Sequence, residues 1–438
     1  MPSSFHNHHL LHLISTLILL ISTATAIKPP PQKPPPPKPK ALVLPLSRDD
    51  ATLQRIIKLN QRTPPTTIPL TLDLEGHFLW LDCDTISKST TNRRIHCNSA
   101  RCALATTSNN PPYKPCKNNI LSCNITLTNS ISHIISKGEL NADIVRINST
   151  DGSNPIRVVS VPRFSYGCGH TPLLKGLANG VKGIAGFGRT KVSVPSQFSS
   201  FFKFVNKFAL CVSSSSFTDG FIIFGDKPYN LFPGIDASTL LSYTSLLQNP
   251  ISSPKSEYYI GVTSIKIFQN EVKFDKSILS TNKRGIGGTK ISTTNPYTIL
   301  HSSIYKAVTD AFVAQVERPG SFAKRVNPIK PFTVCYEIGS LPVTRIGVVV
   351  PDVNLVMQSE KVVWTISGTN SMVAIFSKNA YCFGFVDGGV NAKEGIVIGS
   401  YQLENNLLQF DLVNSKLGFS SSLLFSRTRC DNFNFTSV

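Results

Sequence analysis

At 438 residues, 41% of them hydrophobic, the chain is long enough to bury an ample core in one large domain or two lobes. Its 44 Lys and Arg against 25 Asp and Glu leave a formal net charge of +19, yet no basic run exceeds two residues. That dispersal excludes the clustered patch of a nucleic-acid surface, and scattered His with no Cys-x-x-Cys pair excludes a zinc site. No metal and no cofactor is expected. Residues 10–22, LLHLISTLILLIS, form an apolar run too short to span a bilayer, and Ala24-Thr25-Ala26 follows as a small-x-small cleavage site. Residues 1–26 therefore read as a secretory signal peptide. Residues 27–40, containing PPPQKPPPPKP, read as a proline-rich linker with no core of its own.

Folded sequence begins near Ala41. ALVLPLSRD reads as a strand, and TIPLTLDLEGHFLWLDC reads as a hairpin with a Glu-Gly turn. Short β-rich runs punctuated by Gly, Pro, Asn and Ser continue to the end, among them PIRVVSVPRFSYGC, KFALCV, GFIIFG, YYIGVTSIKIF and VVWTIS. Helical patterns are few, the best of them at 194–202 and 303–316, so the chain reads as all-β with minor helix. An internal repeat is visible. FLWLDCD (78–84) is followed by GIAGFGR (183–189), and GGTKISTTNPYTIL (287–300) is followed at a similar distance by GIVIGSY (395–401). A duplicated β-lobe with a crossed ψ-loop leaves such a pattern. The turn-rich stretch 243–256 is the expected junction, giving an N-terminal lobe over 41–245 and a C-terminal lobe over 246–438.

All 10 cysteines follow the expected cleavage site: Cys83, Cys97, Cys102, Cys116, Cys123, Cys168, Cys211, Cys335, Cys382 and Cys430. With sequons at Asn124, Asn148 and Asn434 they point to a secreted glycoprotein held together by disulfides. The excess positive charge suits retention on a polyanionic extracellular matrix.

In FLWLDCD an apolar strand runs straight into Asp82, the way a pepsin-like aspartic peptidase delivers its first catalytic aspartate. Cys83 and Asp84 then stand where Asp-Thr-Gly would have its Thr and Gly. In the second half GGTKIS puts Ser292 at the corresponding tip, followed by Thr293 and Thr294. The nearest carboxylates in sequence, Asp275 and Asp310, are not at strand tips. Aspartic peptidases need two carboxylates about 3 Å apart sharing a proton. A lone Asp82 facing Ser292 is vestigial and no catalysis is expected. Cys83 has no His neighbour to activate it and reads as a disulfide partner.

Long strings throughout 41–437 closely resemble the plant family of extracellular dermal glycoprotein, xyloglucanase inhibitor proteins, basic seed globulin and cereal xylanase inhibitors. They include LWLDCD, GIAGFGR with VPSQF, GGTKISTTNPYT, SSIYKAVTDAF, GIVIGSYQLENNLLQFDL and CDNFNFTS. The resemblance implies a mainly β, bilobal pepsin-like fold with two β-barrel lobes, no proteolytic activity, and secretion to the plant apoplast or cell wall. It also implies the pairs Cys83–Cys168, Cys211–Cys430 and Cys335–Cys382. Cys97, Cys102, Cys116 and Cys123 leave three connectivities open.

The same resemblance implies inhibition of microbial cell-wall-degrading glycoside hydrolases through loops of the C-terminal lobe. The matching loops are LPVTRIG (341–347), with Arg345, and SSLLFSRTRC (421–430), with Arg427 and a bystander Arg429. Arg at 427, where cereal xylanase inhibitors have His, points to a xyloglucan-specific endoglucanase of the family-twelve type. The alternative is a peptide-binding or storage protein of the basic seed globulin type, with a small Cys-rich peptide or acidic wall polysaccharide as partner.

Overall fold

A computed structural model describes residues 38–106, 121–226, 228–252 and 255–436. The expected signal peptide, most of the proline-rich linker and Cys116 lie outside the described residues.

The two halves meet in one continuous antiparallel sheet. Ala41–Arg48 pairs with Gly220–Gly225, which pairs with Lys207–Cys211. That strand pairs with Leu407–Asp411 from the second half, which continues through Lys416–Phe419 to Ser242–Leu247. The run GFIIFG (220–225) is buried at every position because the sheet is covered on both faces. One face, with Leu42, Leu44, Phe208, Phe224 and Phe410, joins the main core. The other, with Val43, Ala209, Phe221 and Ile223, lies under Tyr229, Leu231, Leu423 and Phe433. The C-terminal segment is therefore a lid on the sheet, and Cys211–Cys430 pins it there.

Ser242–Leu247 corrects the turn-rich reading of 243–256. Buried Thr244 and Leu246 alternate with exposed Tyr243, Ser245 and Leu247, the period-two signature of a half-buried strand. The hairpin reading of TIPLTLDLEGHFLWLDC is corrected too. Thr66–Asp73 and Trp80–Asp82 do not pair with each other; Gly183–Gly186 runs between them, parallel to the first and antiparallel to the second. Gly186 makes this insertion possible, since a Cβ there would sit 2.6 Å from the Gly76 carbonyl oxygen. The second half repeats the arrangement. Ile396–Ile398 lies parallel to Thr289–Ile291 and antiparallel to Thr298–Leu300.

The described helices are Ala100–Thr106, Val194–Phe202, Ser302–Val316 and Gly368–Ser371. Val194–Phe202 has Pro in its first turn and buries Val194, Phe198 and Phe202, spaced for one face. Full burial of a side chain such as Phe198 stabilises the fold by roughly 1.5–3 kcal/mol. Ser302–Val316 buries Ile304, Val308 and Phe312 in the same way, and the His301 ring accepts from the Ser303 amide to cap it.

Disulfides join Cys83–Cys168, Cys102–Cys123, Cys211–Cys430 and Cys335–Cys382, and Cys97 is also disulfide-bonded. Of the sequon asparagines, Asn434 is exposed while Asn124 and Asn148 are half-buried within strands. No helix among the described residues is long and apolar enough to cross a membrane.

Candidate functional site

The crossed loops bring one tip from each half to the lobe junction. The Thr293 hydroxyl donates to the Leu72 carbonyl (2.9 Å) and accepts from the Leu74 amide (3.2 Å). Those two backbone groups flank Asp73. The first-half residue at this junction is therefore Asp73, and the expectation of Asp82 is corrected. Asp82 sits at the end of the next strand, in register with Gly169. Its buried carboxylate accepts from the Thr85 hydroxyl (2.6 Å), the Thr171 hydroxyl (3.1 Å) and the Asp84 amide (3.1 Å). With the Cys83–Cys168 bond beside it, Asp82 is a structural anchor for the strand end.

The repeat itself carried the signal for Asp73. The interval from Asp73 to Leu79 equals that from Ser292 to Thr298, and in both halves an apolar strand follows the tip. Asp73 registers with Gly186, and the Ser292 amide donates to Ile398 on the corresponding strand of its own half.

Asp73 is 2% exposed. One carboxyl oxygen accepts from the Glu75 amide (2.8 Å) and the other from the Ser130 hydroxyl (2.6 Å). Burial and the neighbouring charge of Glu75 push its carboxyl up to about 6, against the pull of these donors. Across the junction, Ser292 is also fully buried. Its hydroxyl accepts from the Thr294 amide (3.3 Å) and the Asn295 side-chain amide (3.1 Å). Lys290 closes the neighbourhood by pairing with Glu75 at 2.7 Å and approaching Glu394 at 3.8 Å. Burial works against the Lys290 charge, but the two carboxylates outweigh it and hold its amine above the usual lysine range. A cavity of about 230 Å³ remains beside Asp73, lined by His77, Trp80, Thr128, Ser130 and Ile184 among others. Burial depresses the His77 imidazole to about 4, so it is neutral there.

A peptidase dyad shares one proton between two carboxylates. Here the two tips joined through Thr293 carry one carboxyl, Asp73, and one hydroxyl, Ser292, so no second carboxylate is in place to share a proton. The raised Asp73 value has a consequence for stability. The neutral acid is the form favoured by the fold, so its contribution is complete below about pH 4 and is lost as pH rises through about 6. Asp73→Asn removes that loss, and Ser130 can turn its hydroxyl to accept from the new amide. Urea unfolding is expected to show the variant gaining on the parent between pH 4 and 6, by on the order of 1–3 kcal/mol. A difference independent of pH would refute the assignment.

The second candidate region is formed by the C-terminal loops. Arg345 is exposed at the tip of a hairpin made by Val343–Thr344 and Gly347–Val348, closed at its base by the Val349 amide donating to the Pro342 carbonyl (2.8 Å). The hairpin is clamped onto helix Gly368–Ser371. A Cβ on Gly368 would lie 1.9 Å from the Val348 carbonyl oxygen, so only glycine permits this contact. From the same helix, the Asn370 side-chain amide donates to the Glu404 carbonyl (2.8 Å). The adjacent Asn405 carbonyl accepts from the Leu423 amide (2.7 Å), and its side chain accepts from the Cys430 amide (3.2 Å). Both arginine loops are thus braced on one connected backbone.

Arg427 ends the turn Leu423–Ser426 in a left-handed conformation, φ 58°, and is exposed. Buried Thr428 next to it donates to the Phe232 carbonyl (2.7 Å), and Cys430 is tied to Cys211. Arg429 pairs with Asp431 at 2.9 Å. Among the described residues neither Arg345 nor Arg427 makes an ion pair, so both guanidinium groups face outward unspent.

Comparisons with known proteins place this geometry. Residues 56–226 match the family described as xylanase inhibitor N-terminal, and residues 257–421 match xylanase inhibitor C-terminal. The chain is 48% identical over 416 residues to "Probable aspartic proteinase GIP2" of Nicotiana benthamiana, covering 92% of this chain and 93% of that protein. It is 39% identical over 443 residues to gamma conglutin 1 of Prunus dulcis, covering 99% and 98%. The crystal structure of edgp superposes with a TM-score of 0.87 at 47% identity, over 92% of this chain and 100% of that one. An aspartic proteinase from Irpex lacteus superposes at 0.52 with 13% identity, which identifies the pepsin-like fold alone.

Proposed function

Because the chain belongs to the pepsin-fold plant family of xylanase inhibitor-like proteins, gamma conglutins and basic 7S globulins, we propose that it inhibits microbial cell-wall-degrading glycoside hydrolases. In this reading it is a secreted, non-proteolytic glycoprotein of the plant apoplast or cell wall. The target is a xyloglucan-specific endo-β-1,4-glucanase of the family-twelve type. Glycosidase clefts carry two catalytic carboxylates, and an arginine fork binds a carboxylate bidentately and keeps its charge at any accessible pH. The observation that carries the reading is the pair of outward, unpaired arginines, Arg345 and Arg427, on loops braced by Gly368, Asn405 and the Cys211–Cys430 bond. Pre-organised loops reduce the entropy lost on binding.

With Asp73 at one tip and Ser292 rather than a second carboxylate at the other, the joined loops support the absence of proteolysis, although two relatives carry a proteinase name. The relatives named gamma conglutin and basic 7S globulin favour a second reading, a storage or peptide-binding protein. Purified protein assayed against xyloglucanase, xylanase and pectinase separates the two. Selective inhibition of xyloglucanase is expected, and indifference to all three would leave the storage reading.

A further inference from the structure

Beside the Arg345 hairpin lies a groove of about 850 Å³. One wall is the segment after helix Ser302–Val316, with Arg318, Pro319 and Phe322. Another is built from Leu341, Pro342, Val349 and Val350, the residues that enter and leave the hairpin itself. Phe268 stands at the edge in a left-handed turn, φ 57°.

Three observations bear on what fills it. The first is exposed apolar surface that the fold does not use: Phe322 is 87% exposed, Phe268 55% and Val349 50%. The second is charge. Arg318 is exposed and makes no ion pair among the described residues, because neighbouring Glu317 is engaged by Arg325 (3.4 Å) and the Tyr336 hydroxyl (3.0 Å). Arg318 thus gives the groove a cationic edge, and the hairpin that carries Arg345 rises from Pro342 and Val349 of its wall. The third is area. A stable protein interface needs about 800 Å² from each partner with an apolar, aromatic centre, and two arginine tips supply neither.

We infer that this groove is a second contact surface of the inhibitor, and that it takes an apolar-tipped, acidic loop flanking the catalytic cleft of the hydrolase. The inference rests on the inhibitor reading above. Phe322 and Phe268 form the apolar seat, and Arg318 meets the loop's carboxylates at the rim. Continuity with the Arg345 hairpin lets one hydrolase engage both at once.

The test uses the full-length secreted protein with a family-twelve xyloglucan-specific endoglucanase, measuring inhibition and dissociation rates. Phe322 is almost wholly exposed, so Phe322→Ser leaves the melting temperature unchanged. It is expected to weaken inhibition by about tenfold or more, through faster dissociation. Arg318→Ala is expected to slow association and flatten its salt dependence. Inhibition by the parent with an undiminished Phe322→Ser and Phe268→Ser double variant would overturn the groove inference and leave the arginine reading standing. A parent that does not bind the hydrolase would overturn both. Saturable binding of free xyloglucan oligosaccharides, lost in Phe322→Ser, would overturn it in favour of a sugar site.

Discussion

Replacing Arg345 and Arg427 together with alanine is expected to abolish inhibition, raising the inhibition constant by about a thousandfold or more. Truncating one partner of a desolvated, hydrogen-bonded charge pair costs about 2–5 kcal/mol, and each 1.4 kcal/mol is tenfold in affinity. The single variants should each lose about thirtyfold or more. Their sum need not equal the double variant, because both loops are braced on the adjacent backbone of Glu404 and Asn405 and their proposed targets lie in one cleft. Arg427→Lys should recover only part of the loss, since a lysine keeps the charge without the bidentate fork. Arg427→Gly separates function from stability. The left-handed backbone at 427 costs a non-glycine residue about 1 kcal/mol, so this variant should melt no lower than the parent while inhibiting as poorly as Arg427→Ala. Undiminished inhibition by the double variant would end the arginine mechanism.

Glu404→Ala is expected to cost about 3–5 kcal/mol of stability, read as a lowered midpoint in urea. Glu404 is 4% exposed and binds Arg55 at 2.6 Å and Arg48 at 3.1 Å. Arg55 is 1% exposed and also donates to the carbonyls of Ser213 and Ser400. Burial pulls the Arg55 guanidinium down and Glu404 opposes that pull, so removing the carboxylate strands a cation in the interior. Replacing the pair with Met at 55 and Leu at 404 should restore most of the loss, because a buried ion pair gains little over well-packed apolar side chains. The arginines come from the first half of the chain and the glutamate from the second, so the network also joins the two halves. The Glu404 carbonyl holds Asn370 and the next residue holds the Arg427 loop, so Glu404→Ala should also weaken inhibition. A stability change below about 1 kcal/mol would contradict this account.

Local pattern revealed much of the architecture. The helices at 194–202 and 303–316 carry their apolar side chains on one face, and the tip-and-strand repeat announces two crossed loops. At Asp82 sequence proximity misleads. Thr66–Asp73 and Trp80–Asp82 look like a hairpin because only a short turn separates them, yet their true partner, Gly183–Gly186, lies a hundred residues away. A ψ-loop puts the functional tip at the end of its first strand, and a hairpin reading moves attention to the end of the second. The Arg55–Glu404 pair was invisible for a related reason: its members are 349 positions apart, and nothing local marks either as buried. Arg345 and Arg427 were legible through family resemblance alone. Their bracing by Gly368 and Asn405 depends on close backbone approaches that side-chain pattern does not encode.

In the proposed function the chain acts through arginines aimed at the carboxylates of a glycoside hydrolase. This is tested most directly from the hydrolase side, by comparing binding of the protein to a family-twelve xyloglucan-specific endoglucanase and to its variant with both catalytic glutamates changed to glutamine. The neutral variant keeps its shape and loses the two charges that Arg345 and Arg427 are proposed to meet. Affinity is predicted to fall by about a hundredfold or more. Equal affinity for the two enzymes would contradict an arginine–carboxylate mechanism.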